Sequence, residues 1–353
     1  MRSLVLAVAF ALLSRITVGG AAATPVAAAD IGGATLRADV FPRLTIRFPN
    51  GVVATPDVEY ANFTGFRPLL LDIYRVPGGS VAAAQPLVIF VHGGGWRRGD
   101  SRTTGPFVNF PGVLASLAAR GYVVASINYR LSGEARYPAA IQDLNSAIVY
   151  LRLHARDWGI DPTRVVLWGA SAGAYLVAMS ATTCNDARFA PPPSTGRMSR
   201  RQAAAASPPR ASDCVQAVVS WYGLFDLGRL ADATGKGRAI AGDIRAFLGC
   251  ERGSCRDPAR QKSPLLSVSP RTPPLLLMHG TGDTEVPFGQ TLEMAAALRG
   301  AHVPVQMQLI KGANHGWMAP NAATTRRASL EALGRTFTFI DGAMKPATRS
   351  GGR

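Results

Sequence analysis

A serine between small residues stands where a strand-like segment of the chain passes into a helix-like segment. The residues are Gly169-Ala170-Ser171-Ala172-Gly173, and they follow the apolar run 165–168. A sharp turn from strand to helix holds a serine in strained backbone geometry, with its hydroxyl exposed beside the N-terminus of the helix. The pattern therefore predicts that Ser171 is a nucleophile, and the alternative is a plain turn of small residues.

A glycine-rich motif, His92-Gly93-Gly94-Gly95-Trp96, follows the apolar run 87–91. Acyl transfer builds negative charge on a carbonyl oxygen, and each preorganised backbone N–H that meets this oxygen contributes about 3–4 kcal/mol in the transition state. Side chains would obstruct the approach, so glycines suit the position. We predict an oxyanion hole formed by the N–H groups of Gly94, Gly95 and Ala172, and the alternative is a glycine turn without a catalytic role.

An acidic side chain follows the apolar run 275–278, within the segment 280–287. In open parallel sheets, catalytic residues gather at the carboxyl ends of the strands, and Asp283 is expected at such an end. A carboxylate in this place can accept a hydrogen bond from an imidazole, fix its tautomer and stabilise the imidazolium ion. We predict Asp283 as the acid of a catalytic triad. Glu285 is the nearby competitor, and His279 is interpreted as a structural residue at the strand end.

The base is predicted from the position of the histidines. The chain has five of them, and only His315 lies in a loop beyond the last apolar run, 305–310. Imidazole titrates near neutral pH, so it can take the serine proton and later return it to the leaving group. The predicted triad is therefore Ser171, Asp283 and His315, in that order along the chain; a surface-loop histidine is the alternative for His315.

Alternating strand-like and helix-like segments indicate how these residues are positioned. Continuous apolar runs predict strands at 87–91, 123–127, 165–168, 215–220, 275–278 and 305–310. Apolar residues at helical spacing predict helices at 107–120, 139–156, 172–181, 290–298 and 328–339. This alternation is typical of an α/β fold with a mostly parallel central sheet and helices on both faces. Two further strands, at 58–60 and 69–74, are expected to add an antiparallel edge.

These segments predict one domain at 57–342, with flanking and inserted pieces. A loosely ordered leader is expected at 24–56 and a disordered polar tail at 343–353. The Pro-, Arg- and Ala-rich stretch within 184–214 is expected to be a mobile surface loop. The stretch 227–263 separates two late strands and is expected to form a small cap over the active site.

The first 23 residues have the layout of a secretory signal peptide. Arg2 precedes a short apolar run at 4–13, and small residues follow at 21–23, with cleavage expected after Ala23 or near Ala29. The run is too short to span a bilayer, which needs about 20 apolar residues, so we expect a secreted or periplasmic protein without a transmembrane segment. The formal charge of +16 allows non-specific attraction to anionic surfaces. Arginine is scattered, so no nucleic-acid partner is expected.

The four cysteines support the same compartment, because an even number in an exported protein suggests disulfides. They are Cys184, Cys214, Cys250 and Cys255. Four cysteines permit three connectivities, and we favour Cys184–Cys214 and Cys250–Cys255 because each pair brackets one loop. No histidine or cysteine lies at zinc-ligand spacing around them, so no metal site is expected.

Three tryptophans near the ends of predicted strands are candidates for lining a substrate pocket. They are Trp96, Trp221 and Trp317. The alternative for each is packing in the core beneath the active-site loops.

Together the motifs resemble the α/β-hydrolase esterase/lipase family, in its bacterial branch of hormone-sensitive-lipase-like and feruloyl-esterase-like enzymes. The likeness runs from about 58 to 339 and is strongest in the segments 91–96 and 168–173. It implies hydrolysis of carboxylic esters, of short-chain or plant-wall type, without a cofactor. A small-amide hydrolase of the formamidase type remains an alternative, because the same residues serve amides. A binding protein on an inactive hydrolase scaffold is a third hypothesis, although the chain keeps all three triad candidates.

Overall fold

A nine-stranded sheet forms the centre of the structure, a computed structural model that describes residues 44–78, 84–207 and 210–344. The predicted signal peptide at 1–23, the leader up to residue 43 and the tail from residue 345 lie outside these ranges. The strands follow the order β1-β2-β3-β5-β4-β6-β7-β8-β9 across the sheet. They are β1 (Ile46–Arg47), β2 (Val53–Ala61), β3 (Leu69–Arg75), β4 (Gln85–Val91), β5 (Val123–Ile127), β6 (Ile160–Ala170), β7 (Ala217–Trp221), β8 (Leu275–Gly280) and β9 (Val305–Ile310).

The sheet combines a parallel body with an antiparallel edge, as predicted. Strands β4 to β9 pair in parallel, whereas β1, β2 and β3 pair antiparallel with one another and β3 pairs antiparallel with β5. Every residue of β5, β7 and β8 is buried. Strands that are apolar on both faces need cover on both faces, which the helices supply.

The helices occupy both faces of the sheet. They are α1 (Phe110–Ala118), α2 (Ala139–Leu153), α3 (Ala155–Trp158), α4 (Ala172–Thr182), α5 (Arg200–Ala205), α6 (Arg238–Leu248), α7 (Arg256–Gln261), α8 (Gly289–Gly300) and α9 (Ala322–Met344). Buried apolar residues form two core clusters, one containing residues of α2, α4 and α8 and the other residues of α1 and α9. The predicted α/β class, with helices on both faces of a mostly parallel sheet, is confirmed.

Several predicted segments differ from the structure in extent. The described end of the predicted leader is ordered: β1 and the start of β2 lie within it, because they extend the antiparallel edge. The predicted surface loop contains α5, whose start is stabilised by a capping box between Ser199 and Gln202. Helix α9 begins at Ala322, before the predicted 328, because its first turn precedes the apolar positions. None of the helices in the described ranges has the length and hydropathy needed to cross a membrane.

Two disulfides join the cysteines in the predicted pairs. Cys184–Cys214 ties the ends of the loop that carries α5, and Cys250–Cys255 closes the turn between α6 and α7. Helices α6 and α7 belong to the inserted stretch 227–263. The second disulfide therefore fixes the insertion just after the end of α6.

Candidate active site

Ser171 lies at the turn between β6 and α4 and has an unusual backbone conformation. Its φ is 54° and its ψ is −118°, a region that is strained for a residue with a side chain. The N–H of Ser171 donates to the carbonyl of Trp221 at 2.9 Å, which holds the turn against the end of β7. Gly173 allows the close approach of α4 to the end of β4, since a Cβ there would collide with the carbonyls of Val91 and His92. The sharp turn therefore presents the serine hydroxyl at the carboxyl end of the sheet.

The structure brings Ser171, His315 and Asp283 into one hydrogen-bonded chain. The Nε2 atom of His315 lies 2.8 Å from the Oγ of Ser171, and its Nδ1 atom lies 2.7 Å from the Oδ2 of Asp283. Because Nδ1 faces a carboxylate, it carries the proton and donates it. Nε2 is then free to accept from the serine hydroxyl, which is the arrangement that a general base requires.

Asp283 is buried and its two oxygens are fully engaged. The backbone N–H groups of Glu285 and Val286 donate to Oδ1 at 2.9 and 2.8 Å, while Oδ2 accepts a hydrogen bond from Nδ1 of His315. Burial by itself would raise the pKa of Asp283, but hydrogen bonds from His279 and His315, the charge of His315 and the N–H of Val286 outweigh it and hold the pKa below its ordinary value. Asp283 is thus kept ionised. Glu285, the competing candidate, is exposed and makes no hydrogen bond to either imidazole.

His279 contacts the acid, which sequence analysis did not predict. This fully buried residue near the end of β8 has its Nε2 atom 3.2 Å from the Oδ2 of Asp283 and 2.9 Å from the carbonyl of Val286. Both neighbours are acceptors, so Nε2 carries the proton, and Nδ1 accepts from the hydroxyl of Thr291 at 2.7 Å. His279 therefore positions the same carboxylate oxygen that holds His315. Its spacing of four residues before Asp283 was the signal available in the sequence.

The glycine-rich loop after β4 lies next to Ser171. Gly94 and Gly95 have φ of 105° and 64°, a left-handed region that favours glycine. Gly93 is close-packed, because a Cβ on it would lie 2.8 Å from the carbonyl oxygen of Ala170 and 3.1 Å from the Cβ of Ser171. Gly94 and Gly95 line the same cavity as Ser171. Ala172, the third predicted donor, is the first residue of α4.

The buried side chain of His92 contacts the backbone of this loop. Its ring is stacked on Tyr129 with 4.3 Å between ring centroids, and its Nδ1 atom lies 2.8 Å from the carbonyl of Gly93. The Tyr129 hydroxyl donates to the His92 carbonyl at 3.0 Å. Burial lowers the pKa of His92 to about 4, although the hydrogen bond with Gly93 acts in the opposite direction. The imidazole is therefore neutral at pH 7.

This neutral histidine predicts a loss of stability in acid. The unfolded chain binds the proton near the ordinary pKa of 6.5 and the folded chain only near 4. The contribution of the neutral imidazole to the free energy of unfolding is thus fully present above pH 6.5 and is lost as the pH falls toward 4. Over that window we expect the free energy of unfolding to fall by about 3 kcal/mol more in the wild type than in His92→Phe. Urea unfolding across the window measures it, and equal pH dependence in both proteins would contradict it.

A cavity of about 840 Å³ adjoins Ser171 and His315. The glycine-rich loop, residues 97–105 and the first half of α6 contribute to its walls, and the ring of Tyr222 lies 4.7 Å from that of His315. Its charged lining residues are Arg97, Arg98, Asp100, Arg238, Asp243 and Glu285. The cavity is therefore polar on much of its surface. In the ranges that the structure describes, no group of three or more His, Cys, Asp or Glu is arranged to hold a metal ion.

The three candidate tryptophans do not line this cavity. Trp96, Trp221 and Trp317 are fully buried. Trp96 is stacked on Phe247 of α6 at 4.5 Å, and Trp221 donates its ring N–H to Thr336 of α9 at 2.9 Å. A position at a strand end did not determine the direction of these side chains. Packing directs them into the core, against α6 for Trp96, against α9 for Trp221, and against the rings of Trp221 and Tyr222 for Trp317. The three tryptophans therefore pack in the core beneath the active-site loops.

Comparisons with known proteins point to esterases. A family model described as BD-FAE matches residues 71–298. The esterases LipQ and LipC of Mycobacterium tuberculosis are 31% and 32% identical to the chain over 249 and 260 residues, which are 70% and 72% of this chain. The alignments cover 53% of LipQ and 59% of LipC, so the chain spans little more than half of these relatives.

Solved structures share the fold at lower identity. A Thermogutta terrifontis esterase, Est2 with propionate bound, matches with a TM-score of 0.62 and 23% identity, over 82% of this chain and 95% of Est2. A truncated carbohydrate esterase from gut microbiota matches with a TM-score of 0.64 and 21% identity, over 84% of this chain and 98% of that one.

Proposed function

Because the chain belongs to the BD-FAE family, we propose that it is an exported serine carboxylesterase that works through an acyl-enzyme on Ser171. The observation that carries the proposal is the hydrogen-bonded chain from Ser171 through His315 to Asp283, with distances of 2.8 and 2.7 Å. Mycobacterial relatives that are named esterases support the reaction class.

The proposed reaction begins with attack by the Ser171 hydroxyl oxygen on the ester carbonyl carbon. His315 takes the hydroxyl proton on Nε2 as the bond forms, and Asp283 stabilises the resulting imidazolium ion. The carbonyl oxygen becomes an oxyanion that accepts hydrogen bonds from the N–H groups of Gly94, Gly95 and Ala172. Collapse of this tetrahedral intermediate expels the alcohol, which leaves with the proton from His315. The acyl group stays on the serine.

Water then completes the cycle. The water oxygen attacks the acyl carbon while His315 takes one proton from the water. The second oxyanion accepts hydrogen bonds from the same N–H groups. Collapse releases the carboxylic acid and returns the proton to the Ser171 oxygen. His279 takes no proton in this scheme. It keeps Asp283 aligned with His315 throughout, because its Nε2 atom donates to the shared oxygen.

The cavity supports esters with a short acyl chain and a polar remainder. Charged side chains and glycines occupy much of its lining, and Tyr222 and Ile240 are its largest apolar contributors. A long alkyl chain would leave these charged groups without water or partners, which is costly. Acetyl esters of plant-wall sugars combine a small acyl group with a polar alcohol and fit this requirement.

Export is the second element of the proposal. The signal-like segment at 1–23 supports it, and so do the two disulfides, which persist in oxidising compartments. Accordingly, we expect protein recovered from the medium or periplasm of the native cell to lack this segment, as mass spectrometry of its N-terminus can test.

A substrate comparison tests the reaction class. We expect the purified protein to hydrolyse 4-nitrophenyl acetate and butyrate faster than the octanoate, and to turn over the amide N-formylkynurenine far more slowly than any of them. The physical reason is the polar cavity, which stabilises a short acyl group more than a long one. A fluorophosphonate should label Ser171, as located by peptide mass spectrometry. Turnover of the amide alone would instead favour the formamidase alternative.

A further inference from the structure

Helix α6 carries an acidic side chain to the edge of the proposed oxyanion hole. The helix is anchored by Phe247, whose ring is stacked on Trp96 and whose carbonyl accepts from the N–H of Tyr137 at 2.9 Å. Asp243 lies four residues before Phe247, one turn earlier on the same helix. A well-packed anchor on one side thus fixes the acid on the cavity wall.

The carboxylate of Asp243 is packed against Gly95. A Cβ on Gly95 would collide with its Oδ2 atom. The Oδ1 atom of Asp243 accepts a hydrogen bond from Nη1 of Arg97 at 3.3 Å, and the side chain of Asp243 is only 14% exposed. Among the residues that the structure describes, Oδ2 receives no hydrogen bond. The side chain is thus mostly buried, and its unpaired oxygen borders Gly95, whose N–H is proposed to bind the substrate carbonyl.

Among the described residues, Arg97 donates to Oδ1 of this carboxylate, and Oδ2 has no donor. Burial raises the pKa of Asp243 above its ordinary value, and the contact with Arg97 does not reverse the shift. The side chain of Arg97 is itself 58% exposed, so water weakens the ion pair. A ligand that donates to Oδ2 would restore the hydrogen bonding that burial removed.

The other charges of the cavity indicate the kind of donor. The guanidinium groups of Arg98 and Arg238 line it without a hydrogen bond or ion pair to any described residue, and Arg97 lines it too, so a cationic group would be repelled. Glu285 lies on the same cavity and disfavours a carboxylate close to Asp243. A neutral hydroxyl group avoids both penalties.

We propose that Asp243 is a specificity-determining residue, which accepts a hydrogen bond from a substrate hydroxyl group within a few bonds of the ester carbonyl. The proposal rests on the function proposed above, because the ester carbonyl must bind at Gly95. Asp243 then favours hydroxylated esters over alkyl esters of equal size. A site that hydrogen-bonds a substrate hydroxyl penalises the analogue that lacks it, because its own buried group is left unpaired.

Two pairs of esters, matched by exchanging a hydroxyl for a methyl group, test the proposal. In one pair, 2-hydroxyethyl acetate and propyl acetate, the hydroxyl is on the alcohol side. In the other, methyl 3-hydroxybutyrate and methyl 3-methylbutyrate, it is on the acyl side. We expect the wild type to have the higher kcat/KM for the hydroxylated member of at least one pair. Asp243→Ala should reduce this preference at least ~10-fold, whereas Asp243→Asn, which keeps an acceptor oxygen, should retain part of it. Acid release in a pH-stat gives the rates.

Arg97→Ala is the matched control, because it removes the ion pair but leaves the carboxylate. It should keep the preference that Asp243→Ala loses. No preference in the wild type would overturn the proposal, and so would an equal loss in both variants, since the ion pair would then be the determinant. Titration with a fluorophosphonate counts competent active sites in every sample. A wild type that neither reacts with the fluorophosphonate nor hydrolyses any ester would refute the proposed function itself.

Discussion

Replacing Ser171 by alanine is expected to lower kcat for ester hydrolysis by about 10⁵–10⁶-fold. The variant has no oxygen to attack the carbonyl, and His315 has no hydroxyl proton to take. The glycine-rich loop and the cavity remain, so binding of substrate should change little. Initial rates with 4-nitrophenyl acetate, at enzyme concentrations high enough to detect residual turnover, measure the effect.

The control for this variant is Ser116→Ala on α1. Its hydroxyl is exposed and bonds only to the carbonyl of Gly112 within the helix. It should retain wild-type activity and labelling by a fluorophosphonate. Both variants should melt near the wild-type temperature. An active, folded Ser171→Ala protein would show that another group is the nucleophile.

Replacing Asp283 by asparagine is expected to lower kcat by about 10⁴-fold. The amide keeps the shape of the side chain but no longer stabilises the imidazolium ion. Two N–H groups, from His315 and His279, converge on Oδ2. An asparagine can place one carbonyl oxygen there, and its amide nitrogen then faces the N–H groups of Glu285 and Val286, which donate to Oδ1. The exchange therefore leaves donors facing donors whichever way the amide is turned.

Glu285→Gln separates the two acidic candidates of the loop. Its exposed side chain lies on the cavity wall, so it should affect kcat far less than Asp283→Asn. Rates for both variants, normalised to circular dichroism of the folded protein, give the comparison. A larger loss in Glu285→Gln than in Asp283→Asn would reverse the assignment of the acid.

The sequence was most informative where a residue's role depends on its nearest neighbours along the chain. Apolar runs predicted the strands from β4 to β9 because a buried parallel strand needs apolar side chains on both faces. The small residues around Ser171 predicted the turn, since only a few residue types fit between β6 and α4. Asp283 and His315 could be placed because each follows a strand, and the carboxyl ends of parallel strands share one edge of the sheet.

Contacts between distant segments could not be predicted in this way. The position of Asp243 depends on how α6 packs on Trp96, and no local pattern encodes that packing. The direction of Trp221 depends on its hydrogen bond to Thr336, more than a hundred residues later in the chain. His279 was visible as a strand-end histidine, but its bond to Asp283 requires the backbone to turn sharply between them. Local sequence patterns therefore predicted the types of the elements but not the directions of these side chains.

The buried tryptophans give the protein an internal optical signal. All five tryptophans of the chain are at most 4% exposed, and Trp317 is two residues from His315. Indole emission shifts to longer wavelength when water reaches the ring. Unfolding should therefore shift the emission maximum to longer wavelength, and no added dye is needed to follow it. The ring of Trp317 lies 4.8 Å from that of Tyr222, which itself borders the cavity. The emission of Trp317 is therefore a candidate probe for the proposed acyl-enzyme, to be recorded by stopped-flow fluorescence.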